Sequence, residues 1–314
     1  AEQLVPRAAP PQRSSTTTVE ASNIMLGVGE DEKKRNLTWC TSGDAAAQSA
    51  QLAPTSQVKD GVFPDTARSF AAVSGEAAAP GQSFHHVTFD NLAPATSYTY
   101  RIGSQDAWLG THTFTTPAAG PVEFFSIGDA QIGSSGDAAR DAQGWSDTLA
   151  LATEMFPQAR LLVSAGDQVE SSGNETQHLG YTGPEQLGHT PPIGNHDVGS
   201  ARTYGEHDNL PNYDADATRN HWWAQDGVLF LHLNTNNRDY AAHRPWLEKA
   251  VAEAGDGFHH RVIVMNHSIY PATPGRGRRR TVAADAPSAT PRPPVGAGAG
   301  PTPRRPSSRR SPVA

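Results

Sequence analysis

The sequence predicts a β-sandwich followed by a layered α/β domain, and three observations support this fold class. From about Ser22 to Thr116, short alternating apolar runs are separated by turn signals, as in antiparallel strands. After Pro117, strand patterns alternate with helical ones, which is typical of α/β layers. Hydrophobic residues make up 36% of the 314 residues, and 29 Gly with 25 Pro favour a loop-rich fold over a helical bundle.

The first part of the chain is predicted to contain strands only. The predicted strands are Asn23–Val28, Arg35–Thr41, Ser69–Val73, Ser83–Phe89, Ser97–Gly103 and Trp108–Thr115. Roughly 95 residues of strands at this spacing indicate a β-sandwich. A turn at Pro94 leads into a strand that places Tyr98 and Tyr100 on one face, and Trp39 lies on an earlier strand. This pattern resembles the fibronectin type III fold, specifically the N-terminal domain of purple acid phosphatases.

The second part is predicted to alternate strands and helices. The strands are Val122–Ile127, Arg160–Ala165, Gly227–Asn234 and Arg261–Met265, and the helices are Asp141–Met155 and Arg244–Ala254. In such folds, polar residues at the carboxyl ends of strands build the active site.

Four polar clusters fall just after strands. They are Gly128-Asp129-Ala130-Gln131, Gly166-Asp167-Gln168-Val169-Glu170, Gly194-Asn195-His196-Asp197 and Met265-Asn266-His267-Ser268-Ile269-Tyr270. Aspartate, asparagine and neutral histidine are suitable ligands for Zn, Mn and Fe, and a glycine before each aspartate permits a sharp turn. A pair of metal ions about 3.5–4 Å apart can activate water for attack on phosphorus.

In this order, the four clusters resemble the calcineurin-like metallophosphoesterases, and the preceding sandwich points to their purple acid phosphatase branch. The resemblance covers about Ser22 to Tyr270. It implies hydrolysis of phosphate monoesters, or alternatively diesters, by a hydroxide that bridges two metal ions, with Fe, Zn or Mn as the metals. A small phosphorylated molecule is then the expected substrate.

The resemblance also implies residue roles. Asp129 would bind the first metal ion and Asp167 would bridge both ions. Asn195 would bind the second ion, and His196 would contact the substrate phosphate. Asp197 would orient His196, and a residue of the fourth cluster would complete the second metal site.

Three positions depart from the family pattern. Gln131 occupies the place where many relatives carry a histidine, and its loop could bring backbone N–H groups to a phosphate. Glu170 replaces the tyrosine that binds ferric iron; it is either a metal ligand or a solvated loop charge, and the protein is expected to be colourless. In the fourth cluster, alignment on Tyr270 favours Asn266, whereas the chemistry of imidazole favours His267.

A closing Gly-His-x-His cluster of the family is missing, and no histidine follows His267. Residues 272–314 instead contain nine Arg and nine Pro, with no Leu, Ile or aromatic residue, so they cannot form a packed core. The predicted organisation is a disordered leader (1–18), a sandwich (19–117), an incomplete phosphoesterase domain (118–271) and a disordered tail (272–314). A frameshift or fragment end explains the tail, and a genuine basic tail that binds anionic polymers is the alternative.

Charge and composition restrict the partners. The tail carries a net charge of +8, so subtracting it from the total of −7 leaves −15 on the remaining residues, which argues against nucleic acid as a partner. No apolar run reaches the ~18 residues of a membrane span. The single Cys40 excludes an intrachain disulfide.

We expect an exported or cell-envelope protein of undetermined oligomeric state. The competing hypothesis is a catalytically inactive extracellular binding protein with a phosphatase-like domain.

Overall fold

A computed structural model describes residues 19–42, 47–104, 107–182 and 188–268. The predicted leader (1–18) and the predicted Arg/Pro-rich tail (272–314) lie outside these residues, and so does Tyr270 of the fourth cluster. Among the helices described, none is both long enough and apolar enough to cross a membrane.

The first half of the described chain forms a β-sandwich, as predicted. Its strands are β1 (Ala21–Val28), β2 (Arg35–Ser42), β3 (Ser49–Pro54), β4 (Arg68–Ala71), β5 (Val73–Glu76), β6 (Gln82–Phe89), β7 (Ser97–Ser104) and β8 (Ala107–Thr115). Strands β5, β6, β2 and β1 are neighbours in one sheet, and β4, β3, β7 and β8 are neighbours in the other.

Side chains from both sheets form the sandwich core. Trp39, Phe89, Tyr98 and Tyr100 are buried together in it, as the shared face of the two tyrosines predicts. The hydroxyl of Tyr98 accepts a hydrogen bond from the backbone N–H of Ala93 at 2.9 Å, which holds the predicted turn against its strand.

The prediction of one strand over Ser69–Val73 is wrong. The chain divides at Ala72, whose N–H donates to the carbonyl of Gln48, and β4 and β5 lie in different sheets. Strand β3 was not predicted because its Ala and Pro residues are weak strand formers. Two residues of β3, Ala50 and Leu52, are nevertheless buried in the core.

The second half of the described chain is layered, as the alternation of strands and helices predicts. Its elements are β9 (Phe124–Ile127), α1 (Ala138–Met155), β10 (Leu161–Ser164), α2 (Glu175–Thr182), β11 (Gly188–Thr190), α3 (Ala201–His207), β12 (His221–Gln225), β13 (Val228–Leu233), α4 (Tyr240–Ala254) and β14 (His260–Met265). Short 3₁₀ turns lie at Thr55–Gln57 and Val198–Ser200.

Three apolar clusters stack these layers. Trp145 and Leu149 of α1 pack on one face of β10, and Val163 on the other face of β10 packs with Trp223 and Phe230 of the second sheet. The order in that second sheet is β12-β13-β14, and α4 covers its outer face through Trp246. The sequence of layers is therefore helix, sheet, sheet, helix.

Helix α4 begins four residues before its predicted start at Arg244. The carboxylate of Asp239 accepts hydrogen bonds from the N–H groups of Ala241 and Ala242, which caps an additional first turn. Pro245 therefore lies inside the helix and not in its first turn. Helices α2 and α3 were not predicted because seven or eight residues carry too little periodic signal.

The two halves share one sheet. Strand β1 pairs in parallel with β11 through Gly27 and His189, which gives a seven-stranded sheet of order β5-β6-β2-β1-β11-β10-β9. The predicted boundary at residue 117 separates two parts of the chain, but the sheet is continuous across it.

Polar contacts at this junction join the sandwich to α2 and α3. The Glu175 carboxylate accepts a hydrogen bond from Asn23 Nδ2 at 3.2 Å and lies 3.0 Å from His207 Nε2. The ring of His207 packs against that of His178, with centroids 4.5 Å apart, and His178 Nε2 lies 3.0 Å from the Ser172 carbonyl oxygen. Burial, together with repulsion from His207, lowers the pKa of His178 to about 4.

We expect this junction to lose stability in acid. The unfolded chain binds a proton at His178 from about pH 6.5, but the folded chain binds it only near pH 4. The contribution of His178 to stability is therefore complete above pH 6.5 and is lost as the pH falls towards 4. The urea concentration at the unfolding midpoint should fall between pH 7.5 and pH 5 in the unsubstituted chain. In the His178→Gln variant this fall should be smaller. The exposed His259→Gln variant is the control, and an equal loss in all three proteins would contradict the expectation.

Candidate active site

Two aspartates lie together at the carboxyl ends of β9 and β10. These strands are parallel neighbours, with Ile127 opposite Ser164, so the residues after them emerge at the same edge. The N–H of Asp129 donates to the Gly166 carbonyl at 3.0 Å. Both Asp129 and Asp167 have left-handed backbones, with φ of 58° and 55°. Non-glycine residues with such φ values are uncommon and concentrate at functional sites.

The carboxyl group of Asp167 lies close enough to that of Asp129 to influence the pKa of Asp129. Burial raises the pKa of Asp129, and the charge and hydrogen bond of Asp167 raise it further, while His196 acts in the opposite direction. Two carboxylates in contact repel each other when both are ionised. The pair is therefore a place where a cation or a shared proton would lower the energy.

The third cluster is attached to this edge through Asp197. The buried Asp197 carboxylate accepts hydrogen bonds from the backbone N–H groups of Asp167 (2.8 Å), Gln168 (3.1 Å) and Gly194 (2.8 Å). Burial raises the pKa of Asp197 to about 6, although the three donors oppose this shift. The expected role of Asp197 was to orient His196; the bonds that its carboxylate makes instead fix the backbone of the second and third clusters.

The imidazole of His196 faces Glu170. Its Nδ1 lies 3.0 Å from the Glu170 carbonyl oxygen and 3.4 Å from the Glu170 carboxylate. The backbone N–H of His196 donates to Asp167 Oδ1 at 2.9 Å. Burial alone would lower the pKa of His196, but the Glu170 carbonyl and the carboxylates of Asp167, Glu170 and Asp197 raise it above its ordinary value.

Gln131 and Glu170 lie side by side at the same edge. Gln131 Nε2 is 3.4 Å from Glu170 Oε2, and the backbone N–H of Gln131 donates to the Asp167 carbonyl. An isolated parallel bridge between Ile132 and Val169 continues this pairing beyond the strand ends. The first and second clusters are therefore joined over their whole length, and Asn195 is exposed beside them.

Two glycines are required by this close approach. A Cβ on Gly194 would lie 2.0 Å from Asp167 Oδ1, so no side chain fits there. Gly166 has φ of +95°, and a Cβ on it would lie 3.2 Å from the Cβ of Asn266. The expectation that a glycine before an aspartate permits a sharp turn is thus met at Gly166. At Gly194 a glycine is needed for a different reason, because no side chain fits beside Asp167.

The fourth cluster reaches the edge from β14. Asn266 packs beside Gly166, and its buried Nδ2 has no hydrogen-bond partner among the described residues. His267 faces the loop after β13, where its Nδ1 lies 2.8 Å from Thr235 Oγ1 and its backbone N–H donates to the same oxygen at 3.3 Å.

The loop Asn234-Thr235-Asn236 is part of the site and was not predicted. Asn236 Nδ2 donates to the carbonyls of Ile193 (3.2 Å) and Gly194 (3.0 Å), while Thr235 contacts His267. The loop therefore joins the third cluster to the fourth. It follows the carboxyl end of a predicted strand, so the rule that identified the other clusters could also have identified this one.

The donor chemistry fits a divalent cation at the carboxylate pair. Asp129 and Asp167 supply two neighbouring carboxylates, and Asn266, whose buried Nδ2 has no hydrogen-bond partner among the described residues, packs beside Gly166. Across residues 19–42, 47–104, 107–182 and 188–268, however, no group of three or more His, Cys, Asp or Glu side chains is arranged to hold a metal ion. The expected pair of metal ions therefore stays a prediction.

Removal of the Asp197 carboxylate should loosen the site and destabilise the fold. Asp197→Ala would leave three buried N–H groups unpaired, at a cost of about 1–3 kcal/mol for each. Asp197→Asn retains one acceptor oxygen and should cost less. Urea denaturation would measure both effects, with the exposed Asp147→Ala variant as the control. A midpoint for Asp197→Ala equal to that of the control would refute the role of this carboxylate.

Comparison with known proteins identifies similarities in fold. The family model described as the purple acid phosphatase N-terminal domain matches residues 21–116. The solved structure of purple acid phosphatase PPD1 from yellow lupin (Lupinus luteus) seeds matches with a TM-score of 0.55 and 14% identity. That match covers 74% of this chain and 48% of the lupin chain. No curated protein matches the chain in sequence.

A structure of PhoD also matches, with a TM-score of 0.42 and 11% identity over 72% of this chain and 53% of that one; a similarity at this level adds no support. The chain spans about half the length of these solved structures. Residues 21–116 match the family model of the purple acid phosphatase N-terminal domain, and over 74% of its length the chain is similar in fold to the lupin purple acid phosphatase.

Proposed function

We propose that this chain is a metal-dependent phosphoesterase that hydrolyses phosphate monoesters or diesters of small molecules outside the cytoplasm. The observation that supports the proposal most directly is the pair Asp129 and Asp167 at adjacent strand ends, with His196 bonded to Asp167. The fold similarity to a purple acid phosphatase supports the same reaction class.

In this proposal, Asp129 and Asp167 hold the cation, and Asn195 and the fourth cluster complete its ligands. A divalent cation bound there supplies Lewis acidity towards a phosphoryl oxygen and lowers the pKa of a water molecule. Glu170, considered as a metal ligand from its position, instead contacts His196 and Gln131. Its proposed role is therefore to hold these two side chains at the substrate edge.

His196 would bind the substrate phosphate. Because Nδ1 contacts the Glu170 carbonyl, which can only accept, Nδ1 carries a proton and Nε2 is the ring atom for the substrate. The raised pKa of His196 favours the charged ring, in which Nε2 also donates. A positively charged donor at this position stabilises negative charge on a phosphoryl oxygen or on the leaving group. Gln131, which lies beside Glu170, would contribute a second donor from its amide.

A catalytically inactive binding protein is the alternative function. It is favoured by one observation, namely that the described residues do not form a complete metal cage of His, Cys, Asp or Glu. Under this alternative the sandwich would carry the function and the site would not turn over substrate.

Activity on p-nitrophenyl phosphate with added Mn²⁺ or Zn²⁺ distinguishes the two functions. We expect turnover by the unsubstituted chain and a loss of at least about 10³-fold in kcat/KM for Asp167→Asn, because electrostatic stabilisation of that size is typical of such sites. Asparagine keeps the oxygen that accepts the His196 N–H, so the fold should be retained.

Asp147→Asn on the exposed surface of α1 is the control and should leave activity unchanged. No turnover with any added metal would favour the binding protein. Equal activity in Asp167→Asn and the control would place the reaction elsewhere or reveal a contaminant.

Absorption in the visible region tests the ligand set independently of activity. Glu170 stands where the resemblance places the tyrosine that binds ferric iron, and a carboxylate gives no tyrosinate-to-iron charge transfer. The protein loaded with iron should therefore be colourless, and a purple band would show that a tyrosine binds iron after all. Glu170→Tyr tests the converse, since this variant gains such a band only if position 170 faces the metal.

A further inference from the structure

We propose that Asn23 of the β-sandwich is a positioning residue for the candidate active site and acts through helix α2. The residues that it positions are Gln131, Glu170 and His196, which the proposed function places at the substrate. The inference rests on the proposed function for that assignment. It adds a task for the sandwich, which is to hold the two loops that form this edge of the site.

Asn23 lies at an irregularity in β1. The pairing of β1 with β2 shifts register between Ser22 and Met25, and Asn23 has a left-handed backbone with φ of 49°. Asparagine adopts this conformation more readily than most residues that carry a side chain. Asn23 is only 4% exposed, so its amide has to find its hydrogen bonds inside the protein.

The amide of Asn23 contacts both ends of α2. Its Nδ2 donates to Oε2 of Glu175, the first residue of the helix, at 3.2 Å. Its Oδ1 accepts from the hydroxyl of Thr182, the last residue, at 3.2 Å. The hydroxyl proton of Thr182 is shared with the His178 carbonyl oxygen at 3.0 Å. One side chain of the sandwich thus holds the helix at two points along its length.

Two side chains of α2 in turn hold the loop after β10. Gln177 Oε1 accepts from the backbone N–H of Ser171 at 2.8 Å, and His178 Nε2 lies 3.0 Å from the Ser172 carbonyl oxygen. Because a carbonyl oxygen only accepts, His178 Nε2 carries a proton and donates. Ser171 directly follows Glu170, so these two bonds fix the backbone from which Glu170 reaches the substrate edge.

Helix α2 also packs against the loop after β9. A Cβ on Gly133 would lie 2.1 Å from Gln177 Nε2, and a Cβ on Gly180 would lie 3.0 Å from Ile132 Cγ2. The helix therefore meets this loop without a gap. Ile132 is fully buried and directly follows Gln131. A shift of α2 would thus displace Gln131 together with the loop after β10.

Loss of the Asn23 amide should loosen α2 without unfolding it. The last turn of α2 keeps its contact with α1, where Trp145 stacks on Tyr181 and donates to its carbonyl at 3.1 Å. The first turn loses the hydrogen bond that Glu175 accepts from Asn23. Because that turn carries Gln177, the effect should fall on the loop after β10.

Hydrogen–deuterium exchange of the full-length chain tests the positioning role independently of activity. Asn23→Gly removes the amide and keeps the left-handed backbone, which glycine adopts freely. Exchange in the peptide of residues 168–174 should become at least about fivefold faster, whereas exchange in β13 should change by less than about twofold. Asn91→Gly is the matched control, because Asn91 is an exposed sandwich residue with φ of 48°, and it should leave both segments unchanged.

An exchange of the two partners provides a rescue. Asn23→Asp keeps an acceptor for Thr182 but places a carboxylate beside that of Glu175, and like charges in contact repel each other. The same peptide should therefore exchange faster. Adding Glu175→Gln restores one amide and one carboxylate in exchanged positions, and the glutamine retains an acceptor for His207. The double variant should return the peptide to within about twofold of the unsubstituted chain.

The outcomes separate the positioning role from the proposed function. Unchanged exchange of residues 168–174 in Asn23→Gly, an equal rise in β13, or no recovery in the double variant would overturn the positioning role.

Activity on p-nitrophenyl phosphate with added Mn²⁺ or Zn²⁺ tests the link to the substrate. Asn23→Gly should lower kcat/KM by about fivefold or more, because small misplacements of catalytic groups slow the reaction, and the double variant should recover it. Equal kcat/KM in Asn23→Gly and Asn91→Gly would overturn the link. If the unsubstituted chain shows no turnover, the proposed function fails, and the exchange measurements still decide whether Asn23 positions the loops.

Discussion

The candidate site depends on one buried carboxylate. Asp197 would be unfavourable in the interior if its charge were not offset, and three backbone N–H groups from two different loops supply the compensation. In return, Asp167 and Gly194 are held within a few ångströms of each other. Asp167 then accepts the His196 N–H, so each loop contributes an aspartate that binds the backbone of the other. This reciprocal arrangement leaves no space for a side chain at Gly194.

The packing between the two sheets determines whether the clusters can meet at all. Asp129 and Asp167 follow β9 and β10, whereas Asn266 follows β14 of the second sheet. The distance between these groups is fixed by the apolar layer in which Phe230 stacks on Trp223 and meets Phe124 edge-on. The relative positions of site residues on the two sheets therefore depend on an apolar core that contains none of those residues. A substitution in that core can shift the positions of the site residues although it does not contact them.

The sequence predicted the fold class and the four clusters because both depend on local patterns. Strand alternation identified the sandwich and the α/β part, and the position of polar residues after strands identified Asp129 and Asp167, which the structure brings together. The partners of individual side chains could not be predicted, because they depend on the path of loops. Asp197 binds backbone N–H groups of the loop after β10, and Glu170 of that loop contacts His196 of the third cluster. The pairing of β1 with β11 joins segments about 160 residues apart, and no local pattern reports such a pairing.

The shared seven-stranded sheet has a consequence for modular evolution and for engineering. A domain that ends in a loop can be cut out or exchanged, but here the boundary between the two halves runs through the parallel pairing of β1 with β11. Separation at residue 117 would give two pieces, each with a newly open strand edge, and open edges recruit other strands. The N-terminal half is therefore better regarded as the outer strands of the sheet that carries the candidate site than as an appended accessory, and an exchange of the sandwich would have to reproduce the edge of β1.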